Sequence, residues 1–417
     1  MAIEKDWRSK ELSLQEVIDK YPEVSPFVII KTDVQRRGLK YSENALKKVN
    51  PHIHQTQHRS FGGDSKGSHT PISIILRDGT TVLQGETSCS NMLPRMRDPY
   101  LVDVRDGKVV LVDEGNIIEE VFYAEKPDFY DKFTSKGTSM WQVAWARPQR
   151  LDLNPHQYCE FWKTPGHGCK YCAIAAAYKN NQKPAFVDMD DIAETVAEAL
   201  KEKGRFTNIM LTGGTILSGK EILDDEVDRY IEILQRIGVN FKHKKFPSQL
   251  IGTAFNENQL RRLYENTGLM SYTADIEVPN KRLFEWICPG KAEVIGYDEW
   301  KERLYQAVDI FGKGRVNTGL VSGVELAQPE GFATESEAEG AILDEARELA
   351  KHGVSTVSCV WGVVPGSIFF NQMNPSLEYF IRLAKGFDGI RREYGLDIDM
   401  DNYRRCGNHP DTDLSRI

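Results

Sequence analysis

Cys159-Glu160-Phe161-Trp162-Lys163-Thr164-Pro165-Gly166-His167-Gly168-Cys169-Lys170-Tyr171-Cys172 carries three cysteines at the spacing C-x9-C-x2-C. One strand precedes it and the helix-forming run Ala173 to Ala177 follows, so it reads as the loop of a strand–loop–helix unit. Pro165, Gly166 and Gly168 let that loop wrap closely around a ligand. Cys169 and Cys172 present two thiolates to one centre, and Cys159, from across the loop, completes a three-point clamp. Three thiolates suit an iron–sulfur cluster with one iron left open. They are one short of the four ligands of a closed structural zinc site, for which His167, Cys89 or Cys406 would have to supply the fourth. A thioredoxin-type pair would leave the third cysteine unexplained.

Outward from this loop, strand-like runs alternate with amphipathic helices. Ile192, Val196 and Leu200 mark a helical face, and Asn208 to Leu211 a strand. Val227, Tyr230, Ile231, Leu234 and Ile237 form a second helix, Leu250 to Ala254 a strand, and Asn256 caps the helix after it. Leu269–Val278, Val316–Val324 and Val354–Val364 read as strands. The helices between and after them are marked by Trp300 to Phe311, by Ile342 to Ala350 with Gly353 as terminator, and by Leu377 to Ala384 behind Asn374-Pro375. With the strand before Cys159 this makes six β–α units. Their alternation implies a parallel sheet with right-handed crossovers, a partial (β/α)6 TIM-like barrel over residues 148–396. The chemistry of such sheets sits at the C-terminal ends of the strands.

Residues 1–147 read differently, as an N-terminal β-rich domain. Ile72 to Leu76 and Thr80 to Leu83 flank Arg77-Asp78-Gly79, and Leu101 to Val104 and Val109 to Val112 flank Arg105-Asp106-Gly107. Asp-Gly between apolar runs is a hairpin signal. Residues 397–417 read as an exposed C-terminal tail. The alternative is that Tyr403 to Pro410, with Arg404, Arg405 and Cys406, folds back over the barrel mouth.

The 417 residues carry 53 basic and 61 acidic side chains, a net charge of −8, which argues against a general nucleic-acid binder. Seven unevenly spaced cysteines are no disulfide framework. The charged start Met1 to Asp6 offers no secretion signal, and no apolar run is long enough to span a membrane, so a cytoplasmic protein is expected.

The cysteine loop resembles the cluster-binding loop of the radical S-adenosylmethionine (SAM) superfamily, and its x9 gap is similar to the variant in Elongator-type tRNA-modifying members. The resemblance implies that Cys159, Cys169 and Cys172 hold a [4Fe–4S] cluster and that Tyr171 lies near the adenine of SAM. Leu211-Thr212-Gly213-Gly214-Thr215 resembles the element whose backbone meets the SAM amino group, with Thr215 where glutamate is common. Asp275-Ile276-Glu277 matches a polar SAM contact, Gly319 to Glu325 a fifth-strand element, and Val363-Val364-Pro365-Gly366-Ser367 the element near the adenine. The implied site is therefore Cys159, Cys169 and Cys172 for metal, and Tyr171, Gly213, Gly214, Thr215, Glu277 and Val364 for SAM. The implied activity is reductive cleavage of SAM to a 5′-deoxyadenosyl radical that abstracts hydrogen from a substrate. An electron donor such as ferredoxin or flavodoxin is implied as partner, and the acidic chain favours a small-molecule substrate. The alternatives are a tRNA-modifying member and a zinc-stabilised binding protein without catalysis.

Other residues carry less. Glu277 has a second reading as a strand-end salt bridge with Lys281 or Arg282, and Glu325 reads as structural. His52, His54, His58 and His69 lie in a Gly-, Ser-, Gln- and Lys-rich stretch that reads as a solvated loop. Cys89, Cys288 and Cys359 read as small buried residues. Phe61-Gly62-Gly63-Asp64 is no cobalamin fingerprint.

Overall fold

The computed structural model describes residues 7–56, 70–71, 73–83, 97–147, 149–175, 186–364, 366–396 and 407–416. Four short helices, α1 (Trp7–Lys10), α2 (Leu14–Lys20), α3 (Pro26–Arg37) and α4 (Glu43–Lys47), surround a six-stranded sheet. Its strands are β1 (Leu39–Tyr41), β2 (Ser73–Leu76), β3 (Thr81–Leu83), β4 (Tyr100–Arg105), β5 (Lys108–Asp113) and β6 (Asn116–Tyr123), in the order β1-β4-β5-β6-β2-β3. Both Asp-Gly turns are hairpins of this one sheet, as the pattern predicts. In the second, Asp106 at φ 51 and Gly107 at φ 80 give both turn residues the left-handed conformation that matches strand twist.

The second sheet has seven strands: β7 (Ala144–Arg147), β8 (Arg150–Leu153), β9 (Asn208–Thr212), β10 (Ser248–Gly252), β11 (Ser271–Ala274), β12 (Val316–Ser322) and β13 (Ser355–Val360). β8 to β13 pair in sequence order and are all parallel, which gives the six β–α units of a partial barrel. β7 adds antiparallel to β8 through a tight hairpin, so the change of composition at residue 147 falls inside a turn of this sheet. Phe129, Tyr130, Met140 and Val143 already belong to the barrel core.

The crossovers are α5 (Met189–Ala199), α6 (Asp224–Gly238), α7 (Glu257–Asn266), α8 (Lys281–Ile287), α9 (Pro289–Val294), α10 (Tyr297–Phe311), α11 (Glu335–Lys351) and α12 (Leu377–Tyr394), and a last short helix is α13 (Pro410–Asp413). Capping boxes at Asn256 and Thr334 begin α7 and α11, the first at the cap that the sequence predicts. α8 and α9, inserted between β11 and α10, have no counterpart in the sequence reading. Leu151, Ile209, Leu211, Leu250, Tyr272 and Val316 face the helices as core. The register puts Asp152, Met210, Gln249 and Ser271 on one rung of the other face, and Thr212, Ile251, Thr273, Asn317 and Ser355 on the next. The lumen is therefore largely polar and the outer face apolar.

α3 joins the two bodies. Ile30 and Val34 pack into the first sheet, while Val28 and Ile29 pack against Leu377, Ile381 and Ala384 of α12 and against Leu414. The expected exposed tail is corrected here: among residues 407–416, Pro410 to Leu414 are buried. Asp411 accepts from the Ser358 amide at 3.2 Å and pairs with Arg391 at 2.7 Å, and His409 Nδ1 lies 3.0 Å from the Ser358 carbonyl. These contacts cover β13, the open edge of the barrel sheet, whose backbone groups would otherwise lack partners. Cys406 lies outside the described residues, as do Cys89, His58, His69, Pro365 and Phe61 to Asp64.

Candidate active site at the strand ends

Three cysteines, a Gly-Gly turn and an acidic strand end meet at the C-terminal mouth of the barrel. The cysteine loop is tied to the turn after β9: Gly214 donates to the His156 carbonyl at 3.3 Å, Glu160 to the Thr215 carbonyl at 2.9 Å, and Leu217 to the Glu160 carboxylate at 2.7 Å. On its far side Lys170 donates to the Ile287 carbonyl at 2.9 Å, Gly290 donates to the His167 carbonyl at 3.0 Å, and Phe369 donates to the Lys170 carbonyl at 3.0 Å. The glycines act through space as well as conformation. A Cβ on Gly214 would lie 2.5 Å from the Tyr158 carbonyl oxygen and 2.6 Å from Cys159 Cα, and one on Gly168 would enter the Trp162 ring.

Polar groups line the site of the three thiols and favour the thiolate form that a ligand requires. The backbone amides of Thr215 and Phe161 oppose the upward push of burial on Cys159. Cys172 accepts from the Ile174 amide at 3.4 Å. Cys169 is held below the usual thiol range, chiefly by the Cys288 thiol, with Lys291 and the Tyr171 hydroxyl acting in the same direction. Burial pushes Cys159 and Cys172 up, and the neighbouring Cys169 raises both further. Among the described residues no three His, Cys, Asp or Glu side chains converge as the ligands of a single metal ion do. A cubane keeps its thiolates farther apart than one ion does, because each binds a different iron. Of the three candidates for a fourth zinc ligand only His167 is described, and its ring faces Glu293 at 3.3 Å. The donor set fits an open-cornered [4Fe–4S] cluster.

Lys291 of α9 is the cation of this site. Its Nζ donates to Glu277 Oε1 and to the Asp275 carbonyl, both at 2.7 Å. Burial opposes its charge, but Glu277 and Cys169 raise it well above an ordinary lysine. The salt-bridge reading of Glu277 thus has a different partner from those expected, since Lys281 pairs with Asp298 and Arg282 with Glu330. Glu277 sits at φ 68, a strained conformation for a side-chain-bearing residue, held by bonds to Gly319 and Val321 and by the Lys291 pair. Asp275 is pushed up to about 7 by burial and by Glu277.

The structure brings Tyr171 beside Cys169 and places Val364 beyond the end of β13, where its carbonyl accepts from the Ser367 hydroxyl at 2.7 Å. Thr215 Oγ1 lies 2.9 Å from Thr253 Oγ1, which in turn bonds Glu226. Glu226 also accepts from the amides of Ile216 and Thr253, so one buried carboxyl organises the turns after β9 and β10. Glu325 accepts from Gly323 and Tyr379 and is structural, as expected. His54 accepts from the Asn50 amide in a turn and is no ligand. The sequence reading missed Lys291, Glu226, Cys288 as a neighbour of Cys169, and His156. The His156 ring lies beneath Gly213, its nitrogens buried without hydrogen-bond partners, and burial holds it neutral, down to about 4.

Residues 165–326 match the profile of the radical SAM superfamily. That stretch is the radical SAM domain of the chain. The cofactors of that superfamily are a [4Fe–4S] cluster and SAM. The chain is similar to bacteriochlorophyllide c C-7(1)-hydroxylase of Chlorobaculum limnaeum, 21% identical over 251 residues that are 56% of this chain and 58% of that protein. The matched region thus spans less than two thirds of that relative. Among solved structures it is similar to a radical SAM methyltransferase from Sphaerobacter thermophilus, with a TM-score of 0.41, 16% identity and coverage of 74% of this chain and 80% of that one. The cobalamin-dependent radical enzyme OxsB, solved with aqua-cobalamin and SAM, gives a TM-score of 0.35 at 10% identity, covering 72% of this chain and 44% of that one. No helix among the described residues is long and apolar enough to cross a membrane.

Proposed function

We propose that this chain is a radical SAM enzyme that abstracts a hydrogen atom from a small-molecule substrate held at the mouth of the barrel. When bound, the cluster and SAM supply a one-electron cleavage that yields a 5′-deoxyadenosyl radical. Cys159, Cys169 and Cys172 hold iron, and the polar groups lining their site favour the thiolate form. Gly213 and Gly214 admit the SAM amine close to backbone, with Thr215 beside them. Glu277, oriented by Lys291, accepts from the amine or ribose hydroxyls, and Tyr171 and Val364 lie toward the adenine. The first sheet, joined to the barrel through α3, supplies a cover that keeps competing reactants from a reactive radical.

The observation that carries this reading is the convergence of the three-cysteine loop and the Gly-Gly turn on one side of the barrel mouth, tied by the bonds from Gly214 to His156 and from Glu160 to Thr215. A net charge of −8 supports a small molecule over nucleic acid. The relative's named reaction, a hydroxylation at carbon, is one that starts at a C–H bond. A small electron-transfer protein such as ferredoxin or flavodoxin, in the cytoplasm, would supply the electron. The test is anaerobic reconstitution to about four irons and four sulfides per chain, followed by dithionite and SAM. Formation of 5′-deoxyadenosine supports the reading. A loaded protein that neither binds nor cleaves SAM overturns it.

A further inference from the structure

The inserted α8–α9 pair brings two groups to the cluster site that the SAM chemistry leaves unassigned. The bonds from Lys170 to Ile287 and from Gly290 to His167 bracket Cys169 and Cys288, so the two cysteines face each other across the junction. Pro289 has no N–H, which leaves Gly290 to make the second bond. Cys288 is 0% exposed and belongs to the core cluster against which Cys169 packs. One turn of backbone further on, Lys291 is fixed by two bonds of 2.7 Å, to Glu277 Oε1 and the Asp275 carbonyl. A structural role alone would suit an apolar residue at 288, and a helix this short does not need a buried ammonium. What the two share is a place on the junction that packs against Cys169, one as a thiol able to donate and the other as a fixed cation.

We infer that Cys288 and Lys291 are positioning residues that set the reduction potential of the bound cluster, Cys288 by donating its S–H to the Cys169 sulfur and Lys291 by its fixed positive charge. This rests on the reading of Cys169 as an iron ligand. Reduction adds one negative charge to the cluster, and hydrogen bonds to its sulfurs and nearby charge are the levers that tune its potential. In a site shielded from water such a donor or cation acts more strongly than in solvent. Both therefore raise the potential and ease delivery of the electron.

The experiment is a redox titration of the reconstituted full chain, followed by electron paramagnetic resonance without substrate, on wild type, Cys288→Ala, Cys288→Ser and Lys291→Gln at one pH. Iron and sulfide are counted first. At the wild-type midpoint the reduced-to-oxidised ratio is expected to fall about three- to tenfold in Cys288→Ala and similarly in Lys291→Gln, a tenfold fall being about 59 mV for one electron. Cys288→Ser, which keeps a donor of similar size, recovers most of the loss. A fully loaded Cys288→Ala that titrates with wild type, or a Cys288→Ser that titrates with Cys288→Ala, overturns the role of Cys288. An unshifted Lys291→Gln overturns that of Lys291. Should Cys288→Ala fail to load, the serine and glutamine variants still decide. A wild type that binds no cluster overturns the ligand reading itself, and this inference with it.

Discussion

Lys31 Nζ and Asp413 Oδ2, 382 residues apart in the chain, lie 2.6 Å from each other with 1% of each side chain exposed. The pair ties the helix that carries the first sheet to the last turn of the chain. Removing one partner strands a buried charge and is expected to cost about 3–5 kcal/mol. Asp413→Ala should therefore lower the urea midpoint clearly, whereas Lys31→Met with Asp413→Leu should return most of it. Equal loss in the single and double variants would refute this account of the pair.

Gly214→Ala tests the contact between the Gly-Gly turn and the cysteine loop. The new Cβ would meet Tyr158 O and Cys159 backbone atoms at 2.5–2.6 Å, and backbone cannot yield as a side-chain tip can. The loop must shift, and misplacement of this order costs about 100-fold in rate. The expected outcome is that loss in 5′-deoxyadenosine formation with far-ultraviolet circular dichroism unchanged. An active alanine variant would show that the close approach is incidental.

Serine at Cys159, Cys169 or Cys172 should each reduce bound iron from about four per chain to below about one. Cys359→Ser should load normally, since that thiol only bonds the Leu320 carbonyl at 3.5 Å. Iron and sulfide assays on the four variants give the result directly. A dependence of loading on Cys359, or none on Cys159, would overturn the assignment of ligands.

Glu226 gives the protein a pH signature. Burial pushes its carboxyl up to about 7, against about 4.3 in an unfolded chain. Below about 4.3 both states are neutral, so the contribution is fully present. As pH rises the unfolded chain ionises first, and stability is lost until the folded carboxyl ionises near 7. Glu226→Gln removes this term. The stability of the variant relative to wild type should therefore improve as pH rises from about 4 to 7, by up to about 1.4 kcal/mol per unit. A stability difference that stays flat across that window, measured by urea titration, would disprove the buried carboxyl.

The barrel and its cysteine loop were legible because their signals are local. Helix and strand periods, Asp-Gly turns and the cysteine spacing each occupy a few consecutive residues, and backbone geometry turns them into units with strand ends on one side. That placed Cys159, Cys169, Cys172, Gly213 and Gly214 together before any coordinates. The α8–α9 insertion escaped because its helices are too short to show a period, and Lys291 reaches Glu277 only through the turn between them. The tail escaped for a related reason. Pro410-Asp411-Thr412-Asp413 is as polar as a solvated end, yet it is buried because Arg391 and Lys31 meet its carboxylates. Local pattern thus determined the elements and the order of the motifs. Which charges are matched, and so which polar segments are buried, was decided only by tertiary structure, because electrostatic partners are chosen by distance in space and leave no period in the chain.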